Sequence, residues 1–216
     1  MRNMKCDSNT MRLYAVTDRA CVGRQTLLQQ VESALKGGAT CIHLREKALS
    51  EQAFFQEALE IKTVCKRYGV PFLINDNIDV AIQCGADGVH VGQGDRKPQE
   101  ARRLIGPDKI LGVSAQTVEQ AVEAERSGAD YLGVGAVFTT TTKLDAKPVS
   151  YETLKEICHT VTIPVVAIGG ISKRNLFQLS GAGVDGVALV SAIFSAQDIE
   201  AECRELRALS QKMVEG

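Results

Sequence analysis

Gly38-Ala39-Thr40-Cys41-Ile42-His43-Leu44 recurs in outline as Gly85-Ala86-Asp87-Gly88-Val89-His90-Val91, Gly128-Ala129-Asp130-Tyr131-Leu132-Gly133-Val134 and Gly183-Val184-Asp185-Gly186-Val187-Ala188-Leu189. In each copy a glycine ends a helix by accepting a left-handed conformation, small or short residues turn the chain, and an apolar run begins. Between these runs lie four more: Leu13–Thr17, Phe72–Ile74, Ile110–Ser114 and Val165–Gly169. The complete set therefore reads as strands at Leu13–Thr17, Cys41–Arg45, Phe72–Ile74, Gly88–Gly92, Ile110–Ser114, Tyr131–Ala136, Val165–Gly169 and Gly186–Val190. Their continuous apolar character suits parallel strands covered on both faces.

The stretches between the runs have helical periodicity, clearest over Gln25–Lys36, Glu51–Tyr68, Gln116–Ser127, Tyr151–Val161 and Ile199–Val214. Alternation of strand and helix implies parallel strands with right-handed crossovers. A glycine turn before every even-numbered strand implies quasi-equivalent units that close on themselves. A single (β/α)8 TIM barrel over residues 11–216, after a polar extension at 1–10, is the expected α/β fold. The open alternative is that any loop entering a strand favours Gly-Ala.

Composition narrows the classes of function. The chain has 216 residues, 44% hydrophobic and 24% charged, with a formal net charge of −1, which fits one soluble domain. No run of Lys or Arg points to nucleic acid or an anionic membrane. Absence of Trp and an aromatic content of 5% argue against base-stacking platforms. No apolar run approaches the ~20 residues that span a bilayer. The seven cysteines are scattered and never spaced CxxC, as for reduced thiols in a cytoplasmic protein. A homo-oligomer is left open.

In such a barrel the chemistry lies past the C-terminal ends of the strands. There the chain offers Thr17-Asp18-Arg19, His43-Leu44-Arg45-Glu46-Lys47, Asn75-Asp76-Asn77, His90-Val91-Gly92-Gln93-Gly94-Asp95, Ser114, Thr139–Thr142 with Lys143, Gly169-Gly170, and Val190-Ser191. Gly170 lets backbone approach a phosphate, with N–H groups of the following helix aimed at it, and Ser191 adds a hydroxyl in the next loop. Alternation puts His43, Arg45 and Lys47 on one face of their strand. Cations gathered at a barrel mouth call for an anionic ligand, or for a structural ion pair with Asp76 or Asp18. Asp76 and Asp95 come from adjacent strand ends. Two carboxylates ~4 Å apart repel by roughly 4 kcal/mol at an effective dielectric near 20, so a Mg2+ ion between them and substrate phosphates is the reading adopted. Helix capping is the alternative for Asp76. The Thr-rich loop is long enough to act as a lid or clamp, with Lys143 as a point charge for phosphate, unless it is merely a polar loop. His159 reads as structural near a helix end, and alternation does not tell whether His90 points inward.

The motifs Leu13-Tyr14-Ala15-Val16-Thr17-Asp18, Leu44-Arg45-Glu46-Lys47, Ile74-Asn75-Asp76, Gly88-Val89-His90-Val91-Gly92-Gln93, Gly112-Val113-Ser114, the Thr-rich loop with Lys143, and Ala167-Ile168-Gly169-Gly170-Ile171 occur in this order. From Leu13 to about Ser195 the chain resembles the thiamine-phosphate synthase (thiamine-phosphate pyrophosphorylase) family. The resemblance implies a transferase that joins a hydroxymethylpyrimidine diphosphate to a hydroxyethylthiazole phosphate. It implies that Arg45, Lys47, Asn75, Ser114 and Lys143 contact the pyrimidine diphosphate, with His43 and Glu46 beside them. Thr140, Thr142, Gly170, Val190 and Ser191, with Thr141 in the same loop, would hold the thiazole phosphate, and Asp76 and Asp95 would hold Mg2+. Arg45, Lys47, Ser114 and Lys143 are the residues expected to carry catalysis. The chain departs from the family pattern at His43, where Gln is usual, at Gly94, often acidic, and at Thr139, often Pro. A related barrel, the thiazole tautomerase, and a non-catalytic phosphate-ligand binder are the alternatives.

Overall fold

The computed structural model describes residues 6–23, 25–140, 142 and 147–216. Strands β1 (Leu13–Val16), β2 (Cys41–Leu44), β3 (Phe72–Asn75), β4 (Gly88–Val91), β5 (Ile110–Ala115), β6 (Tyr131–Val134), β7 (Val165–Ile168) and β8 (Gly186–Leu189) pair in sequence order as a closed parallel barrel. Helices α1 (Ser8–Met11), α2 (Leu27–Lys36), α3 (Glu51–Tyr68), α4 (Ile78–Gln83), α5 (Pro98–Ile105), α6 (Val118–Arg126), α7 (Tyr151–Thr160), α8 (Ser191–Phe194) and α9 (Ile199–Glu215) accompany them. The (β/α)8 TIM barrel expected from the alternation is the observed fold.

The glycine repeat has a structural task. Gly38, Gly85, Gly128 and Gly183 all have positive φ, the conformation that glycine adopts without steric cost. Two residues later, Thr40, Asp87, Asp130 and Asp185 each pin the preceding odd-numbered strand. Their backbone N–H groups donate to the carbonyls of Leu13, Phe72, Leu111 and Val165 at 2.7–2.9 Å. Their side-chain oxygens accept from the N–H groups of the same residues at 2.8 Å. The four copies thus tie the strands together in pairs at the N-terminal end of the barrel.

Two apolar cores result. The larger lies between the sheet and the helices, and the smaller fills the barrel interior with Tyr14, Val16, Cys41, Leu73, Ile110, Tyr131, Val166 and Ala188. Cys6 and Met11 belong to the interior cluster, so the described part of the polar extension expected at 1–10 packs against the barrel instead of lying apart from it. Gly112 makes room for this interior: a Cβ there would stand 2.2 Å from the Tyr131 ring. The helices not among the clearest in sequence are the short ones, α1, α4, α5 and α8, whose few turns show little periodicity.

Replacing one pin tests this arrangement. Asp185→Ala leaves the Val165 N–H without its acceptor and should cost about 1 kcal/mol, seen as a lower urea midpoint with an unchanged m value.

Candidate active site at the C-terminal rim

The expected site residues that are described meet at the C-terminal ends of the strands. Arg45 follows β2, and its backbone N–H is fixed by the Thr17 hydroxyl at 3.0 Å. Its Nη1 donates to Asp18 at 2.8 Å, the ion pair left open by the sequence. That contact engages one corner of a guanidinium with five N–H donors. Lys47 Nζ lies 2.7 Å from Asp76 Oδ2, with the lysine side chain 59% exposed. An exposed pair of this kind is worth at most ~1 kcal/mol, so a ligand anion can compete for the lysine.

Asp76 does not cap a helix. The N-cap of α4 is Asn77, whose side chain accepts from the Val80 N–H at 2.9 Å. Asp76 instead occupies the left-handed region, φ 58°, an uncommon conformation for a residue with a side chain. Asn77 N–H closes back on the Asn75 carbonyl at 2.6 Å, which turns the Asp76 carboxylate toward the rim. Asp95 is the facing carboxylate. Its Oδ2 accepts from the Gly92 N–H at 2.8 Å. Burial, and then the neighbouring Asp76 side chain, raise the Asp95 pKa above the usual carboxylate value. Two carboxylates in contact, made only of hard oxygen donors, suit a cation that keeps several waters of its own. Among the described residues no group of three or more His, Cys, Asp or Glu side chains forms a fuller metal cage.

Glu46 departs from the substrate-binding role expected of it. It points to the helix side of β2, where both carboxylate oxygens accept from Arg19 at 2.8–3.1 Å. Arg19 also reaches Glu57 on α3 at 2.7 Å. The alternation that places Arg45 and Lys47 on one face puts Glu46 on the other, so this ion pair anchors the strand end to α3.

On the opposite side of the mouth, Ile168 pairs with Ala188, so Gly169-Gly170 and Val190-Ser191 run on side by side. Both glycines have positive φ. The loop after β6 packs against them: the Phe138 N–H donates to the Gly169 carbonyl at 3.1 Å, and a Cβ on Gly170 would stand 2.3 Å from the Thr139 carbonyl oxygen. The Thr142 N–H donates to the Thr140 hydroxyl at 3.3 Å. Thr141 and Lys143 lie outside the described residues. The helix expected directly after Gly170 is absent. Asn175 draws the loop closed, with Nδ2 on the Gly170 carbonyl at 2.9 Å, and only a single 3-10 turn, Leu176–Leu179, follows.

The barrel interior beneath the rim is polar in a way the sequence did not reveal. His43 Nε2 lies 3.1 Å from Asn75 Oδ1, and its Nδ1 lies 3.1 Å from the Tyr14 hydroxyl. Tyr14 and Tyr131 hydroxyls meet at 2.6 Å. His90 points inward, with Nδ1 2.8 Å from the Tyr131 hydroxyl and Nε2 2.9 Å from Ser114 Oγ. Gly133 leaves space for this ring, since a Cβ there would come within 3.1 Å of His90 Cε1. Burial, and then the His90 imidazole, hold the His43 pKa well below the usual histidine value. Nothing local marks Tyr14 and Tyr131 as partners, although a buried Tyr seeks a partner for its hydroxyl.

Comparison with known proteins follows the same outline. The family model described as thiamine monophosphate synthase matches residues 13–193. The thiamine-phosphate synthase of Ruminiclostridium cellulolyticum is 53% identical over 194 residues, covering 90% of this chain and 92% of that one. That of Clostridium acetobutylicum is 49% identical over 193 residues, with 89% and 92% covered. The solved structure of thiamine phosphate pyrophosphorylase from Pyrococcus furiosus superposes with a TM-score of 0.88 at 38% identity, covering 96% of this chain and 98% of that one.

The cap assignment separates two neighbouring residues. Asn77→Ala should lower stability by about 1 kcal/mol, measured by chemical denaturation, whereas Asp76→Ala should leave α4 capped and stability close to that of the parent.

Proposed function

This chain belongs to the thiamine monophosphate synthase family, and we propose that its rim residues join 4-amino-2-methyl-5-(diphosphooxymethyl)pyrimidine to hydroxyethylthiazole phosphate, giving thiamine phosphate and pyrophosphate. It is a transferase, as the thiamine-phosphate synthases among its relatives are. The observation that carries the site reading is the charge pattern of the mouth. Arg45 and Lys47 stand among three carboxylates, Asp18, Asp76 and Asp95. Alone, that balance would repel a diphosphate. With a divalent cation on Asp76 and Asp95 it favours one.

Arg45 and Lys47 hold the diphosphate and stabilise the charge that grows on it as the carbon–oxygen bond breaks. Lys143, outside the described residues, is the further cation expected to meet the diphosphate. When bound at Asp76 and Asp95, Mg2+ supplies further neutralisation of the leaving group. Asn75 and Ser114, on neighbouring sides of the mouth, orient the pyrimidine. The diphosphate departs first, and the pyrimidine-methylene cation is captured by the thiazole nitrogen, so the reaction needs positioning and fixed charge and no general base. Gly170, Val190 and Ser191, with Thr140 and Thr142 packed alongside, hold the thiazole phosphate. α8 begins at Ser191, two residues past the end of β8, so the amides of Ser191 and Ala192 are the backbone groups in reach of that phosphate. A reducing compartment, the cytoplasm, fits a chain in which no disulfide joins the cysteines among the described residues. No helix among the described residues is long and apolar enough to cross a membrane.

Purified protein mixed with both substrates should release pyrophosphate in the presence of Mg2+ and stop when the metal is chelated. Absence of release with Mg2+ present would sink the proposal. Asp76→Ala should cut metal-dependent turnover by on the order of a hundredfold or more, and full activity in this variant would return Asp76 to a purely structural role.

A further inference from the structure

With Asn75 Oδ1 turned toward His43 and one proton on each imidazole, the chain of side chains through the barrel interior, from Ser114 by way of His90, Tyr131, Tyr14 and His43 to Asn75, has one set of donors. Asn75 Oδ1 is an acceptor, so His43 Nε2 carries a proton. His43 is neutral, because a charged imidazole would be buried beside Arg45, Lys47 and His90, and its Nδ1 therefore accepts from the Tyr14 hydroxyl. That spends the one proton of Tyr14, so Tyr131 donates to Tyr14. Tyr131 has then spent its own, so His90 Nδ1–H donates to Tyr131. A neutral His90 accepts at Nε2 from the Ser114 hydroxyl. Every link points the same way, and each depends on the one before it.

We propose that this unidirectional chain sets the hydrogen-bonding sense of the substrate rim, making Ser114 an acceptor and Asn75 a donor, and so selects a ring that carries an exocyclic amine beside a ring nitrogen. The Ser114 proton is committed inward to His90, which leaves its lone pairs facing the mouth. The Asn75 carbonyl oxygen is committed inward to His43, which leaves its amide N–H groups facing the mouth. An amine donates to the first and a ring nitrogen accepts from the second. An oxo analogue of the same ring, with an acceptor in place of the amine and N–H in place of the ring nitrogen, meets the wrong partner at both. Tyr14, His43, Tyr131 and His90 are positioning residues in this scheme. The selection rests on the reading that Asn75 and Ser114 face the pyrimidine substrate, whereas the direction of the chain does not.

The test begins with the full chain, free of substrate, labelled with 15N at its three histidines. Ring-nitrogen NMR at pH 7, with His159→Gln to identify the exposed reference ring, should find the His43 proton on Nε2 alone and the His90 proton on Nδ1 alone. A proton on His43 Nδ1, on His90 Nε2, or on both nitrogens of either ring overturns the assignment. Tyr131→Phe removes the acceptor at His90 Nδ1. Its His90 proton should move to Nε2, and KM for the pyrimidine diphosphate should rise about tenfold, the weight of one hydrogen bond, with KM for the thiazole phosphate unchanged. If the His90 proton stays on Nδ1 in that variant, or both KM values rise together, the coupling is wrong. Failure of the parent protein to release pyrophosphate would defeat the synthase reading and leave the NMR result standing.

Discussion

Closure of the barrel is the constraint from which the other features follow. Eight parallel strands in a ring leave no edge, and each strand must then send alternate side chains into a space of fixed width. The four glycine turns make closure reproducible by pinning the odd-numbered strands through both a backbone and a side-chain hydrogen bond. With the strand entries held there, the strand exits at the other end are held too. Loops that share no sequence neighbourhood become neighbours at one rim.

The interior shows how tightly filling and chemistry are joined. Large rings from Tyr14 and Tyr131 occupy the middle of the barrel, and glycine at 112 and 133 makes way for the ring of Tyr131 and that of His90. Burying four polar side chains there is costly unless every one finds a partner. The hydrogen-bond chain supplies those partners, and its two ends emerge at Asn75 and Ser114 on the rim. Packing below the site and recognition at the site are therefore one structure.

The rim itself combines charges that would not tolerate each other unaided. Arg45 and Lys47 each borrow a carboxylate, Asp18 and Asp76, and Asp95 shares space with Asp76. Such partial pairing keeps the cations placed without neutralising them in a buried bond. Glu46, by contrast, is itself buried, pairs with the half-exposed Arg19 and serves to hold the end of β2 against α3. One strand thus delivers both an anchor and two ligand-facing cations, because successive side chains leave it on opposite sides.

Much of this was legible in the residues. Alternating apolar runs and amphipathic stretches determine strands and helices by their period, a local property, and the repeated glycine turn points to closure. The positions of Arg45, Lys47, Asp76, Asp95, Gly170 and Ser191 just past those runs place them at one end. Sequence could not say whether Asp76 caps α4, nor deny Gly170 a following α-helix, since both depend on where a few backbone amides come to rest. Least of all could it join Tyr14 to Tyr131, 117 residues apart, or turn His90 inward. Those contacts exist only once the ring has closed, because the distance across a barrel is set by the number and tilt of its strands and not by anything adjacent in the chain.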